Sequence, residues 1–206
     1  MTSGASTADG TRRERVLAVA LGVFGRYGFR KASMDEIARS ADISRQGLYL
    51  HFANKEALFR AAVRAELDSA LHDASRCLTE ARVGLERRVV AALDAWLGRY
   101  VGSMLASDIG NMLQNPAMRL GDIVDPAVGA FDDRLAAAIA AAMSEKDRGR
   151  LAVTPEEIAM ALHTAAQGAK YLSNARAESR EEFIVRLTAA VRVVFAGFGA
   201  SARRTP

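Results

Sequence analysis

Residues 33–59, SMDEIARSADISRQGLYLHFANKEALF, decide the fold because they contain the start and stop signals of consecutive short helices. Ser33, with a glutamate three residues later, forms a capping box that begins a helix. The sequence Ala-Asp-Ile at 41–43 predicts a tight turn. Ser44 is then the N-cap of a second short helix that ends near Leu50. The stretch therefore predicts two short helices joined by a turn.

Longer helices are predicted on both sides of this stretch. Asn54 caps a helix that continues toward Cys77 or beyond. Upstream, apolar residues at helical spacing predict a helix over 11–27, and Gly28 is its C-terminal stop. Residues 1–10 are small and polar, so we expect them to be disordered.

The rest of the chain also has the pattern of helices. A capping residue precedes proline at Asn115-Pro116, Asp125-Pro126 and Thr154-Pro155, an arrangement typical of a first helical turn. No stretch alternates β-branched and polar residues as a strand would, so the predicted fold is all-α. The further predicted helices cover 85–105, 108–120, 127–146, 156–174 and 179–198.

The composition is that of an ordinary globular protein, with 206 residues, 50% of them hydrophobic and 25% charged. The single cysteine, Cys77, cannot form an internal disulfide, which indicates a reducing cytosol. A small buried apolar side chain is a simpler interpretation of this thiol than a reactive site. The longest charge-free run, 158–169, has 12 residues, fewer than a membrane-spanning helix needs. Residues 1–11 contain no apolar signal segment, so we expect a cytoplasmic protein without a membrane partner.

The net charge of +4 is concentrated in one part of the chain. Residues 1–60 contain ten Lys or Arg and six Asp or Glu, whereas the two signs balance in residues 61–206. A module that binds a polyanion would place its charge in this way.

The two short helices are interpreted as a helix-turn-helix, whose second helix enters the major groove of DNA. Leu48 is expected to anchor that helix, with Arg45 and Gln46 facing away from the anchor. Arg suits O6 and N7 of guanine, and Gln suits N6 and N7 of adenine. Hydroxyl, imidazole and ammonium groups nearby suit phosphates, and a glycine allows close backbone approach. The expected DNA-binding residues are Ser33, Ser44, Arg45, Gln46, Gly47, Tyr49, His51 and Lys55. The alternative interpretation is that these side chains are ordinary solvent-exposed residues without a DNA contact.

Residues 16–59 resemble the DNA-binding domain of the tetracycline-repressor (TetR/AcrR) family of bacterial regulators. The matching residues are Val16-Leu17, Ala20, Phe24, Gly28-Phe29, Ile37-Ala38, Ala41, Ile43-Ser44, Leu48-Tyr49, His51-Phe52, Lys55-Glu56 and Leu58. The resemblance implies a homodimer, usually a repressor, that binds double-stranded DNA at a palindromic operator and is released by a small molecule. It also implies DNA contacts by Ser33, Arg45, Gln46, Tyr49, His51 and Lys55.

This sequence departs from the family pattern at two positions. Asp42 stands where glycine is common, and a positive φ is feasible there for Asp at some cost. Gly47 stands where Thr or Ser is frequent, which removes a contact. The expected organisation is a helix-turn-helix DNA-binding domain over 11–60 and a helical effector-binding and dimerisation domain over 61–200.

The last two predicted helices have an excess of apolar residues, which favours pairing with a second copy. Small residues on the helix over 156–174 would allow a close crossing, and the last helix is apolar on more than one face. The expected dimer interface comprises Leu162, Ala165, Ala169, Leu172, Phe183, Leu187, Val191, Val194 and Phe198. The alternative is that both helices simply form the core of one protomer.

An effector pocket is expected among the helices of the C-terminal domain, where aromatic and Met side chains suit an apolar ligand. The expected pocket residues are Trp96, Tyr100, Met104, Met112, Phe131, Met143, His163 and Gln167. Ordinary core packing is the alternative for the aromatic and Met residues, and a satisfied or exposed histidine for His163.

The sequence contains no catalytic, cofactor or metal motif. The histidines His51, His72 and His163 lack metal-ligand spacing, and GxSxG, P-loop and GxGxxG patterns are missing. Asp132-Asp133 is interpreted as a charged pair on a helix surface. We therefore predict a DNA-binding regulator without enzyme activity or cofactor. Two alternatives remain: a DNA-binding protein that responds to no effector, and a small-molecule-binding protein whose DNA module is degenerate.

Overall fold

The computed structural model describes residues 4–102, 120–143 and 152–200, with the side chains of 12–102, 120–143 and 152–196 among them. The regular elements in these ranges are all helical, which confirms the all-α fold class. They are α1 (Gly4–Lys31), α2 (Met34–Ser40), α3 (Arg45–His51), α4 (Lys55–Thr79), α5 (Leu85–Leu97), α6 (Gly121–Ala142), α7 (Pro155–Ala175) and α8 (Arg180–Ala200), with a short 3-10 helix at Gly98–Tyr100. The signal at Asn115-Pro116 lies outside the described residues.

The described residues form two compact units. The N-terminal unit contains residues 4–69 and 120–125, and the C-terminal unit contains 70–102, 126–143 and 152–200. No helix in the described ranges combines enough length with enough apolar character to cross a bilayer.

Aromatic packing and short capped helices build the N-terminal unit. Phe24, Phe29 and Phe59 contact one another, with ring centroids 5.0 to 5.7 Å apart. Gly28, the predicted stop of the first helix, has φ 72° and interrupts the helical backbone of α1. Ser33 is the predicted N-cap of α2 and accepts a hydrogen bond from the N–H of Glu36 at 3.1 Å, which is one of the two contacts of the predicted capping box.

Two helix starts differ from the sequence prediction. Helix α1 begins at Gly4 rather than near Thr11, because adding residues to an existing helix costs far less than starting one. Helix α6 begins at Gly121, so Pro126 lies inside it. The carbonyl of Leu120 accepts hydrogen bonds that begin α6, and burial of Leu120 and Ile123 favours this early start despite the proline.

The C-terminal unit has a core of large apolar side chains and capped helices around it. Phe131, Leu162 and Phe183 are fully buried in it. Thr154 and Glu157 form the predicted capping box at the start of α7, with contacts of 3.2 and 2.7 Å. Ser179 and Glu182 make the equivalent contacts at the start of α8. Helix α5 ends at Leu97, earlier than predicted, and the 3-10 helix follows it.

Two residues other than glycine have positive φ in the described part of the chain, Asp42 at 54° and Ala177 at 53°. Both follow a helix in the same way: the residue's own N–H and the next N–H bond back to carbonyls of the last helical turn. This is the Schellman motif, which favours glycine at that position.

Glycine at residue 177 is therefore expected to raise the free energy of unfolding by about 0.5–1 kcal/mol, since it relieves the left-handed strain of Ala177. Asp42→Gly should give a smaller gain, because Asp tolerates this conformation better than Ala. Thermal or urea unfolding measures both changes. Ala137→Gly, at an exposed helical position in α6, is the control and should be destabilising. A loss of stability in Ala177→Gly would contradict the assignment of strain.

Candidate nucleic-acid interface

Helix α3 has one buried side and one exposed side. Leu48 is fully buried and fixes the helix to its unit, as predicted. Gln46 and Leu50 lie on the opposite side, and Leu50 is 80% exposed. Tyr49 lies between these two sides and is 42% exposed. The sequence reasoning missed Leu50, although its spacing of four residues from Gln46 places both on one face.

Arg45 is exposed and makes two side-chain contacts, one with α2 and one within α3. Its Nη1 lies 3.1 Å from Oδ2 of Asp35 in α2, and its guanidinium lies 5.6 Å from the ring centroid of Tyr49. Both members of the ion pair are more than half exposed, so the pair contributes little to stability. The contacts orient the guanidinium while leaving it accessible to solvent.

Ser33, Ser44 and Gly47 have local structural roles. The two serine hydroxyls accept N–H groups of their own helices, and each hydroxyl hydrogen remains available for donation. A Cβ added at Gly47 would lie 3.1 Å from Oγ of Ser44. The glycine therefore leaves room for the Ser44 cap, a role that the sequence did not reveal.

Lys55, an expected phosphate contact, has its ammonium group against backbone carbonyls of its own unit. Its Nζ donates to the carbonyls of Phe29, Ala32 and Arg30 at 2.7, 2.9 and 3.3 Å. It also lies 4.6 Å from the ring centroid of Phe29. These contacts use the three ammonium hydrogens to join the start of α4 to the last residues of α1 and to Ala32, which follows α1.

The region at the end of α3 carries two further polar groups. His51 is exposed, and its ring lies 6.3 Å from that of Phe52. Arg13 of α1 is also exposed and lies 5.5 Å from the Phe52 ring centroid. Arg13 was not among the predicted residues. Its contact with Phe52 brings a basic group of α1 to the end of α3.

Three of the predicted pocket residues form a packed cluster in the C-terminal unit. The rings of Trp96 and Phe131 stack at 4.9 Å, and His163 packs edge-on against Phe131 at 5.2 Å. Nε1 of Trp96 donates to Nε2 of His163 at 3.3 Å, and Nδ1 of His163 lies 2.6 Å from Oδ1 of Asp132. Because an indole N–H only donates, this geometry assigns the imidazole hydrogen to Nδ1. Asp132 thus contacts His163, in contrast to the predicted surface pair.

The other pocket candidates lie in different places. Gln167 is exposed, with Nε2 3.4 Å from Nε2 of His163. Tyr100 lies beside Lys170, and Met143 is half-buried just after α6. Met104 and Met112 lie outside the described residues.

Most of the residues expected at a dimer interface lie inside the protomer instead. Leu162, Ala169, Phe183, Leu187 and Val191 are each at most 5% exposed. Ala165 and Val194 are half-buried and Leu172 is 40% exposed, while the side chain of Phe198 lies outside the described set. The heptad spacing therefore selected mainly the core side of both helices. A different side of each helix faces solvent.

Within the described ranges, Cys77 and the acidic residues show no reactive or metal-binding arrangement. Burial and the nearby Asp73 raise the pKa of the Cys77 thiol, which disfavours the nucleophilic thiolate. The described residues contain no cluster of His, Cys, Asp and Glu side chains suited to hold a metal.

Comparison with known proteins identifies the family. Residues 16–62 match the family described as "Bacterial regulatory proteins, tetR family". The chain is 30% identical over 158 residues to the DNA-binding transcriptional repressor TetR of Mycobacteroides abscessus, covering 74% of this chain and 81% of that protein. It is 37% identical over 86 residues to the transcriptional activator FasR of Mycolicibacterium smegmatis, covering 40% of this chain and only 39% of FasR.

A solved structure supports the fold over almost the whole chain. A tetR-family regulator from Streptomyces coelicolor, 24% identical, superimposes with a TM-score of 0.63 and covers 95% of this chain and 88% of that one. At this identity the likeness concerns the fold alone. The extent of the match to the M. abscessus repressor, together with the motif match over α1 to α4, shows that this chain belongs to the tetR family of bacterial regulatory proteins.

Proposed function

We propose that this regulator is a homodimeric repressor that binds a palindromic operator and is released by a small-molecule effector. The observation that carries the proposal is the exposed surface of α3, where Gln46 and Leu50 lie opposite the buried Leu48 and the exposed Arg45 precedes Gln46. A single short recognition helix reads few base pairs, whereas two helices about 34–36 Å apart read a palindrome.

The side chains in and around α3 divide into base-reading and phosphate-binding groups. Arg45 and Gln46 are proposed to read guanine and adenine in the major groove, and the exposed Leu50 suits a thymine methyl group. Phosphate contacts fall to hydroxyl, imidazole and guanidinium groups around them. These are Ser33, Ser44, Tyr49, His51 and Arg13. Lys55 acts on DNA binding indirectly, by holding α4 to the end of α1 and to Ala32.

The dimer contact is proposed on the solvent-exposed sides of α7 and α8. On α7 this side contains Ala161, Gly168 and Leu172, whose small or apolar side chains allow a close helix crossing. On α8 it contains Val185 and Val193, which are 71% and 74% exposed. Sedimentation of the purified protein tests this, and Gly168→Glu should shift it toward monomer.

The effector is proposed to bind the C-terminal unit and to favour a state whose recognition helices no longer match the operator. Helix α4 is the chain segment that joins the operator-binding unit to Ala70 and the residues after it. Linkage requires effector and operator to weaken each other's binding by the same factor. A ligand that binds this unit tightly without changing operator affinity would contradict the release mechanism.

Selection of the purified protein against random double-stranded DNA at near-physiological salt tests the proposed function. Enrichment of a palindrome is expected, with half-sites one helical turn apart or a multiple of it. Recovery of no enriched sequence would overturn the proposal of a sequence-specific regulator.

Arg45→Ala is expected to relax sequence preference in the same assay and to weaken the selected site by about 1.5 kcal/mol. This lies in the lower part of the usual range, because DNA binding must displace the Arg45 contact with Asp35. Arg13→Ala should instead weaken all sequences alike and reduce the salt dependence by about one phosphate contact. If the two variants behave identically, the division into base and phosphate contacts is wrong.

A regulator that responds to no effector is the second candidate, and the packing of Trp96 favours it. Trp96 is 4% exposed and stacks on the fully buried Phe131, so these two pocket candidates fill space together. In that case the C-terminal unit serves dimerisation only. A screen in which no small molecule changes operator affinity, for a protein that binds the selected palindrome, would establish this candidate.

A further inference from the structure

One side of α7 carries a line of polar residues along the C-terminal unit. His163, Gln167, Lys170 and Asn174 follow at spacings of four, three and four residues, which places them on one helix face. His163 contacts Trp96, as described above. Asn174 accepts a hydrogen bond from the N–H of Gly102 at 2.9 Å.

Lys170 lies in the middle of this face, partly buried beside Tyr100. Its Nζ is 5.9 Å from the Tyr100 ring centroid, within the range of a cation–π contact. Within the described residues, no carboxylate lies at ion-pair distance from this ammonium. Four arginines of the unit, by contrast, have acidic partners: Arg99 with Asp73, Arg180 with Asp94, Arg186 with Glu178 and Arg192 with Glu86.

An ammonium in this position is unfavourable for the unliganded protein. Partial burial lowers the pKa of the Lys170 ammonium, since the protein solvates the charge less well than water does. Partly buried charges are usually paired, and an unpaired one costs folding free energy. Proteins accept local costs of this kind mainly at functional sites, where a bound ligand can supply the partner.

We propose that Lys170 is the anion-recognising residue of the effector site, and that the effector class is small monocarboxylic acids with an apolar body. This inference rests on the proposed function, because it names the ligand class of the same regulator. The carboxylate would accept from Nζ of Lys170 and from the exposed amide of Gln167, one turn away on the same face. The apolar body would lie along the half-buried ring of Tyr100. The inference also refines the expected apolar effector by adding one negative charge.

The first test needs no ligand and uses the full-length protein. Lys170→Met keeps most of the side-chain volume and removes the charge, so it should raise the midpoint of thermal unfolding. Lys31→Met, at an exposed site, is the matched control and should leave the midpoint unchanged. A lower midpoint for Lys170→Met would mean that the ammonium has a structural role, and it would overturn the proposal.

The second test compares acids with the corresponding alcohols at constant ionic strength. Benzoate, phenylacetate and octanoate are paired with benzyl alcohol, phenylethanol and octanol, and binding is followed by thermal shift and by the fluorescence of Trp96, the only tryptophan in the chain. At least one acid should bind wild type tenfold or more tightly than its alcohol. Lys170→Met should remove that difference, and Lys170→Arg should retain part of it.

Two results would overturn the inference: no acid preference in wild type, or a preference that Lys170→Met leaves intact. Operator selection separates this failure from failure of the proposed function. If operator selection enriches a palindrome but no acid binding depends on Lys170, the repressor proposal is retained and the proposed ligand class is wrong. Lys170-dependent acid binding without operator recognition would support the ligand class and overturn the repressor proposal.

Discussion

Lys55→Met is expected to lower the free energy of unfolding of the N-terminal unit by roughly 2–4 kcal/mol, because hydrogen bonds from a charged donor are strong and their removal leaves acceptors unpaired. The variant removes donors from the carbonyls of Phe29, Arg30 and Ala32, two of them partly buried. It also removes the cation from the Phe29 ring. Urea unfolding followed by circular dichroism measures the loss.

Operator titrations at several salt concentrations separate this role from a direct phosphate contact. If Lys55 is structural, DNA affinity should fall in parallel with the folded fraction, and the salt slope of the folded protein should not change. Lys31→Met, at an exposed lysine of α1, is the control for loss of one charge. Unchanged stability together with a smaller salt slope would restore the phosphate contact that the sequence predicted.

Gly98→Ala is expected to destabilise the C-terminal unit by roughly 2–3 kcal/mol, an effect of overpacking. An added Cβ would meet the Asp94 carboxylate, with Cγ of Asp94 at 2.9 Å and Nε of Arg180 at 3.3 Å. Asp94 accepts two hydrogen bonds from Arg180 at 3.0 and 2.8 Å, and this pair links α5 to the start of α8. The methyl group forces Asp94 to move and breaks that geometry. Thermal unfolding measures the cost.

Gly129→Ala is the matched control because an added Cβ meets no atom within 4 Å at this exposed helical position. It should be neutral or slightly stabilising, since alanine favours the helix. Asp94→Ala combined with Gly98→Ala should show less than the summed loss, because the first change removes the obstacle to the second. Equal stability of Gly98→Ala and Gly129→Ala would show that Asp94 moves aside without consequence.

Local chemistry explains why helix starts were predictable. Ser33, Thr154 and Ser179 cap the helices that the sequence assigned to them, because a cap forms between groups three residues apart. The positive φ at Asp42 follows from the same kind of local requirement, and the structure confirms it. The buried position of Leu48 was predictable because a helix with polar neighbours on its other sides must bury its apolar one.

Contacts between distant residues explain what the sequence prediction missed. Pro126 read as a helix start, but burial of Leu120 and Ile123 moves the start of α6 upstream. The apolar spacing on α7 and α8 indicated an interface, although spacing alone does not tell a core side from a partner side. Leu162 and Phe183 therefore belong to the core of the protomer.

The sequence by itself determined the all-α fold, the helix-turn-helix and its caps, since these depend on residues close together in the chain. The tertiary structure decided which polar and aromatic side chains are engaged in contacts within the protein and which remain available to bind a ligand. Lys55 donates hydrogen bonds to carbonyls of residues more than twenty positions away, and Trp96 packs against Phe131. The tertiary structure also left Lys170 beside Tyr100 without an acid among the described residues. A charge becomes structural or functional according to what folding brings within a few ångströms of it, and sequence spacing does not record that distance.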